Sequence, residues 1–259
     1  MVYDVILYNG EREIFELRYN ILKDMVDKFI VVEFLQTFSG KEKTPEEFLE
    51  FPKVEHQVMS SGVYKDEYVP PEMYPNFAIE YAQRETLKKA CGDIKDNDIV
   101  FVGDVDEIWS EEAIRGWDLT NTVFKIQQIV YYYYLNNRWN RDWAGTFVSK
   151  WKNIKNKSWN TLRAGPGERL DSPESFRYLI RDGGWHFTNC MSLEEIKRKI
   201  ESYSHQEYNT EFFKHDLEKK REQNIDYYGL FFPVHIDEEN WPQYLKDNRE
   251  KYAHLCKKY

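Results

Sequence analysis

The segment DIVFVGDVDEIWS, residues 98–110, runs from an apolar stretch directly into three carboxylates, Asp104, Asp106 and Glu107. An apolar run without alternation is typical of a strand buried on both faces, as in a parallel sheet covered by helices. In open α/β sheets, ligands bind just beyond the carboxyl ends of the strands. The segment therefore predicts a buried strand over 98–103 and a candidate ligand site immediately after it.

Similar patterns lie upstream of this segment. Residues 2–8 and 28–34 have strand-like composition, and residues 13–23 between them have the spacing of an amphipathic helix. Residues 76–91 predict a second helix, with Asn76 as its N-cap and a stop at Gly92. These elements predict consecutive β-α-β units and an α/β fold with a mostly parallel central sheet flanked by helices.

The rest of the chain predicts further strands and a helical end. Residues 121–135 and 143–151 have strand patterns, and a helix over 193–203 opens with Ser192 and Glu195 in capping-box spacing. Helical patterns continue over 207–223 and 240–256. We expect a single domain over 1–259, with a core over 1–190 and a C-terminal helical extension over 191–259.

Composition narrows the class of protein. The 259 residues include 36 Lys and Arg against 45 Asp and Glu, a net charge of −9, and 17% are aromatic. So many aromatic residues exclude a disordered chain, and the acidic balance disfavours nucleic acid as a partner. Neither a membrane span nor a signal peptide is visible, which predicts a soluble, cytoplasmic protein.

Three groups of residues could carry chemistry. An Asp-x-Asp turn such as Asp104 and Asp106 can hold a hard divalent cation that grips a diphosphate, or it can be a solvated acidic turn. In GGWHFTNC, residues 183–190, His186 could be a third ligand for a Mn²⁺-like metal, or a histidine of the core. Glu80 and Arg84 lie one helical turn apart, so Arg84 could bind a phosphate or simply form a surface pair.

An aromatic block, residues 131–134 together with Trp139 and Trp143, has two interpretations. Flat rings can form a platform for sugar stacking, and they can equally fill both faces of a buried strand. The sequence has no P-loop, dinucleotide-binding, α/β-hydrolase or zincin motif, so those classes are excluded.

Taken together in their order along the chain, the segments described above resemble glycosyltransferase family 17. This is the family of the β-1,4-mannosyl-glycoprotein β-1,4-N-acetylglucosaminyltransferases. Four blocks carry the resemblance, and residues 240–255 match more loosely. The four are EIFELRYNILKDMVDKFIVVEFLQTFSGKEK over 13–43, the pair Gln83 and Arg84, DIVFVGDVDEI over 98–108, and GGWHFTNC over 183–190.

The resemblance implies a GT-A-like, Rossmann-type fold and an inverting transfer from a nucleotide sugar. The donor would be UDP-GlcNAc or another UDP-sugar, the metal Mn²⁺ or Mg²⁺, and the acceptor a carbohydrate or glycoconjugate. By the same resemblance, Asp104 and Asp106 would bind metal and diphosphate, and Glu33 would lie at the nucleotide. Arg84 would bind the donor and His186 the metal. The size, without an anchor or stem, suggests a bacterial or viral enzyme, in the latter case located in the host cytoplasm.

An inverting enzyme needs a base to deprotonate the acceptor hydroxyl. Glu107, Asp142, Glu168 and Asp171 are the candidates, and Glu168 and Asp171 beside the Gly-Pro-Gly loop over 165–167 are preferred. Two other functions compete with this interpretation. One is a metal-dependent phosphohydrolase or nucleotidyltransferase using the same aspartates, and the other is a non-catalytic carbohydrate-binding module. The sequence does not fix the sugar, the linkage or the oligomeric state.

Overall fold

The computed structural model describes residues 1–46, 51–60, 77–165, 168–169, 178–226, 229–230 and 232–258. Its strands are β1 Val2–Tyr8, β2 Lys28–Phe34, β3 Val54–Met59, β4 Ile99–Asp104, β5 Glu107–Trp109, β6 Thr122–Ile126, β7 Gln128–Tyr132, β8 Asn137–Trp143, β9 Phe147–Lys150, β10 Glu168–Arg169, β11 Leu179–Ile180, β12 Gly184–Thr188 and β13 Val234–Ile236. Its α-helices are α1 Arg12–Leu22, α2 Ala78–Thr86, α3 Trp151–Ile154, α4 Trp159–Ala164, α5 Leu193–Ser202, α6 Glu211–Lys214, α7 Leu217–Glu222 and α8 Gln243–Asp247.

The larger of two sheets has the strand order β10-β6-β9-β4-β1-β2-β3, with β11 beside β6. Strands β3, β2, β1 and β4 are parallel to one another, and β9 is antiparallel to both β4 and β6. Strands β1, β2 and β4 are buried over most of their length, as their apolar runs predict. The α/β class is confirmed, with a parallel half and a mixed half in the sheet.

The first β-α-β unit forms as predicted. Helix α1 buries Ile14, Phe15, Leu17 and Leu22 against the core, and it begins and ends one residue earlier than expected. The second predicted helix is shorter, because α2 passes into a 3₁₀ turn over Leu87–Cys91. Its predicted N-cap, Asn76, lies outside the described residues.

The predicted strand over 121–135 is two strands in two different sheets. The chain leaves the large sheet at Gln127, whose amide donates to the carbonyl of Ile180 and whose carbonyl accepts from the amide of Gly183. Beyond this residue, β7 enters a second sheet of order β13-β8-β7-β12-β5. The predicted strand over 143–151 is likewise divided, into the end of β8 and all of β9.

The C-terminal extension is only partly helical. Helix α5 is confirmed, and both hydrogen bonds of its capping box between Ser192 and Glu195 are present. The predicted helix over 207–223 is wrong as one element, because Asp216 has a left-handed φ of 58° and separates α6 from α7. The predicted helix over 240–256 is wrong as one element, because only α8, Gln243–Asp247, and a 3₁₀ turn over Ala253–Leu255 form there. Strand β13 joins the second sheet. None of the helices in the described ranges has the length and apolar content that crossing a bilayer requires.

Candidate active site

The side chain of Arg18 holds the backbone of the turn after β4. This α1 residue is fully buried and donates to both carboxylate oxygens of Asp4, at 2.7 and 2.6 Å. Its remaining terminal nitrogen, Nη1, donates to the carbonyl oxygens of Asp104 and Glu107, at 3.1 and 2.7 Å. The carbonyls of the turn are therefore fixed by one guanidinium. The sequence carries a signal for this role, since Arg18 lies on the apolar face of its helix.

Asp104 is held between two arginines. Its Oδ1 accepts from Arg84 at 2.9 Å, and its Oδ2 accepts from Arg163 of α4 at 2.5 Å. Burial alone would raise the pKa of Asp104, but Arg163 and Arg84 lower it below its usual value. Arg84 therefore lies at the acidic turn, a contact that the sequence did not predict. Its pair with Glu80 is also present, at 3.0 Å, although Arg84 itself is buried.

Glu107 is fully buried and its carboxylate is saturated with donors. Arg163 donates to both oxygens, at 2.7 and 2.8 Å, and Thr146 Oγ1 donates at 3.0 Å. The indole of Trp143 and the amide of Asp104 complete the set. Burial alone would raise the pKa of Glu107, but Arg163 holds it far below the usual range of a carboxyl. A carboxylate stabilised so strongly as an anion is a weak proton acceptor.

Asp106, His186 and Lys199 form a second cluster. His186 Nε2 of β12 lies 3.6 Å from Asp106 Oδ1, and Lys199 Nζ of α5 lies 3.1 Å from Asp106 Oδ2. Burial alone would raise the pKa of Asp106, but Lys199 and His186 hold it well below its usual range. Lys199 could not be placed from the sequence, because it is 93 residues from Asp106 and reaches it only through the packing of α5.

Two adjoining clefts open at this end of the large sheet. One, of about 330 Å³, includes Asp104, Asp106 and His186 in its lining, and the other, of about 250 Å³, includes Glu33. They share the lining residues Asn9, Glu11, Lys199 and Ser202.

Glu33, predicted at the nucleotide, is fully buried at the end of β2. It is paired with Lys43 at 2.8 Å and with His56 at 3.1 Å. Its carboxylate also accepts from the amide of Glu46 at 3.3 Å. Through these contacts, the buried carboxylate of Glu33 stabilises the wall of the smaller cleft.

The preferred bases are only partly described. The backbone of Glu168 pairs with Val123 in the large sheet, and Asp171 lies outside the described residues. Asp142 is exposed on β8 and accepts from Gln127 at 2.8 Å. Glu11, which no sequence motif singles out, lies where the two clefts meet. Burial raises the pKa of Glu11 above its usual value, although Lys199, 3.8 Å away, opposes the shift.

The residues present can accommodate a divalent cation. Across the described ranges, no group of three or more His, Cys, Asp or Glu side chains is arranged as a ready-made metal site. Mg²⁺-type sites, however, use one or two carboxylates and complete their coordination with substrate phosphates and water. Asp106 and His186 line the same cleft. His186 Nε2, which lies 3.6 Å from Asp106, also contacts Thr188 Oγ1 at 2.6 Å, whereas the buried Nδ1 has no hydrogen-bond partner in the structure. Asp106 and His186 could hold a metal completed by a diphosphate, and Asp104, which is paired with two arginines, lines the same cleft.

The chain is similar to a known protein family and to a solved structure. The family model for glycosyltransferase family 17 matches residues 1–229. A solved structure, the 2-C-methyl-D-erythritol 4-phosphate cytidylyltransferase of Francisella tularensis, is similar at 14% identity over 60% of this chain and 74% of that chain, with a TM-score of 0.33. A TM-score this low carries no information on activity. The comparison with curated proteins gives no match.

Proposed function

Because the chain belongs to glycosyltransferase family 17, we propose that it is a metal-dependent, inverting enzyme that uses a UDP-sugar. The membership itself makes the protein a glycosyltransferase, with a sugar donor and an acceptor as its substrates. The proposal adds that the sugar is a hexose or an N-acetylhexosamine, such as that of UDP-GlcNAc. The acceptor would be a hydroxyl of a glycan or glycoconjugate.

The observation that carries this proposal is the convergence of Asp106, His186 and Lys199 on one cleft beyond the carboxyl end of β4. Leaving groups such as a nucleoside diphosphate gain negative charge as their bond to the sugar breaks. Lys199 supplies a cation there, since Asp106 and Glu11 keep its pKa above the usual range despite burial. Asp106 and His186 would hold Mn²⁺ or Mg²⁺, which when bound neutralises part of the charge on the diphosphate.

The chemistry also requires a group that accepts a proton. The acceptor oxygen attacks the anomeric carbon on the face opposite the diphosphate, the base takes the hydroxyl proton, and the bonding pair leaves with UDP. Glu168 and Asp171 remain our proposed bases. The five hydrogen bonds at Glu107 support a different role for that residue, which is to position Arg163 and Trp143.

The family match also bears on the competing functions. Membership of a glycosyltransferase family favours sugar transfer over phosphoryl or nucleotidyl transfer at the same aspartates. A carbohydrate-binding module would have no use for the ionic groups of the cleft. Buried carboxylates and cations are costly to desolvate, so their concentration around Asp106 supports a catalytic site.

Release of UDP from a panel of UDP-sugars in the presence of Mn²⁺ tests the proposal. We expect one donor to be consumed slowly without acceptor, and EDTA to abolish its consumption. Asp106→Ala should reduce the rate by about 100-fold or more, because it removes a carboxylate that would hold the metal at the diphosphate.

Asp96→Ala is the matched control, since Asp96 is an exposed aspartate paired with Lys155. Its rate should equal that of the unmodified protein. The proposal fails if no donor is consumed and UDP with Mn²⁺ gives no thermal stabilisation.

A further inference from the structure

Trp143 occupies a distinctive place at the proposed donor site. It is the last residue of β8 and lines the larger cleft together with Asp106 and His186. With 43% of its surface exposed, it is the most exposed of the described residues that line this cleft. Its ring therefore lies at the rim, where a second substrate has access.

The other aromatic residues of its sequence neighbourhood serve the core. Tyr131 and Tyr133 are fully buried, and Trp139 packs against Tyr132 and Phe232 with ring centroids 5.8 and 5.5 Å apart. The core interpretation therefore applies to Tyr131, Tyr133 and Trp139, and the sugar-stacking interpretation applies to Trp143. Trp143 alone, among these residues, combines an exposed ring with a position in the cleft.

The ring of Trp143 is held in place by the acidic turn. Its Nε1 donates to Glu107 Oε1 at 2.5 Å, so the polar edge of the indole is satisfied from inside the protein. The Arg163 guanidinium carbon lies 5.9 Å from the ring centroid, and the His186 ring centroid lies 5.5 Å away. A fixed ring loses little conformational entropy when a ligand stacks on it, which is a property of good binding sites.

We propose that Trp143 is the platform on which a sugar ring of the acceptor stacks. The inference rests on the proposed function and assigns the second substrate to one wall of the same cleft. The charged diphosphate of the donor is attracted to Lys199, a partly buried cation 3.1 Å from Asp106, so the donor takes the deeper position. An uncharged pyranose has an apolar face that suits an aromatic ring at the rim, and its hydroxyls remain free to point toward the anomeric carbon.

The test compares Trp143→Ala and Trp143→Phe in the chain of 259 residues. The probes are methyl β-glycosides of glucose, galactose, mannose and N-acetylglucosamine, added to the UDP-release assay with the donor that the enzyme consumes. We expect at least one glycoside to accelerate UDP release. Trp143→Ala should raise the KM for that glycoside about tenfold more than the KM for the donor, which corresponds to about 1.4 kcal/mol of acceptor binding. Trp143→Phe keeps a ring and should recover part of this loss.

Trp117→Ala is the matched control. Trp117 is 40% exposed, packs on Phe124 and donates its indole proton to the carbonyl of Glu112, away from the cleft. Both of its KM values should equal those of the unmodified protein.

Saturation-transfer NMR of the same glycosides in the presence of UDP gives a readout that does not need turnover. The pyranose C–H protons should receive saturation from the unmodified protein and lose it in Trp143→Ala. Equal changes in the two KM values, or glycoside signals that survive the alanine variant, would overturn the assignment to the acceptor. Glycoside binding without consumption of any UDP-sugar would refute the proposed function while leaving the stacking site intact.

Discussion

A single buried lysine supports the arrangement of the ionic side chains. Lys125 of β6 is 2% exposed, and its Nζ donates to the carbonyl oxygens of Gly145, Leu162 and Arg163, at 3.0, 3.3 and 2.5 Å. The last two carbonyls lie in the final turn of α4. By holding this end of the helix, Lys125 positions the Arg163 side chain that joins Asp104 to Glu107.

The position of Lys125 predicts a pH-dependent contribution to stability. Burial, followed by the charge of Arg163, lowers the pKa of Lys125 to about 7 from an unfolded value of 10.5. Between these values the unfolded chain binds one proton more than the folded protein, so this group makes stability rise with pH. The free energy of unfolding of the unmodified protein should rise relative to that of Lys125→Met by about 1.4 kcal/mol per pH unit between roughly pH 7 and 10. Urea unfolding of both proteins across this range measures the difference, and parallel profiles would refute the lowered pKa of Lys125.

Some of the individual site residues could be predicted from the sequence. Asp104, Asp106 and Glu107 could be placed because an apolar strand leads straight into them, and the pair of Glu80 and Arg84 forms as the helix spacing predicts. The partners Arg163 and Lys199 could not be placed. They reach the turn from 59 and 93 residues away, and no local pattern encodes such a distance.

At the scale of elements, α1 and the turn after β4 are coupled through Arg18. Replacing it with methionine would leave Asp4 as an uncompensated buried charge and free the carbonyls of Asp104 and Glu107. Breaking a buried ion pair in this way costs about 3–5 kcal/mol. We expect Arg18→Met to lower the free energy of unfolding by that amount in urea titrations.

Arg12→Met on the same helix is the control for this prediction. Arg12 is exposed, and surface substitutions usually change stability by no more than about 0.5 kcal/mol. Similar losses in the two variants would contradict the coupling.

Elements with a strong periodic hydrophobic pattern were predicted well. Elements whose ends depend on which strands pair in a sheet were not. Strands β1, β2 and β4 and helices α1 and α5 lie within a residue or two of their expected positions. No Gly or Pro marks the break at Gln127 in the sequence. The break arises because the chain passes from one sheet to the other at this residue. The left-handed Asp216 divides the predicted helix over 207–223 in a similar way, since an occasional Asp adopts this conformation without any mark in the apolar pattern.

At the scale of the whole molecule, the site lies where the two sheets meet. Strand β4 of the large sheet ends at Asp104, and the chain enters β5 of the second sheet at Glu107. In that sheet His186 of β12 is paired in register with Glu107. The acidic turn thus connects both sheets, which explains why carboxylates, histidine and cations from distant segments converge there.

A crystal structure with UDP and Mn²⁺ tests this convergence most directly. Anomalous scattering should place Mn²⁺ about 2.1 Å from Asp106 and His186, with the diphosphate completing its coordination within hydrogen-bond distance of Lys199. The manganese peak should be absent from Asp106→Ala and retained in Asp96→Ala. Manganese bound away from Asp106, or UDP bound outside the two adjoining clefts, would contradict the proposed donor site.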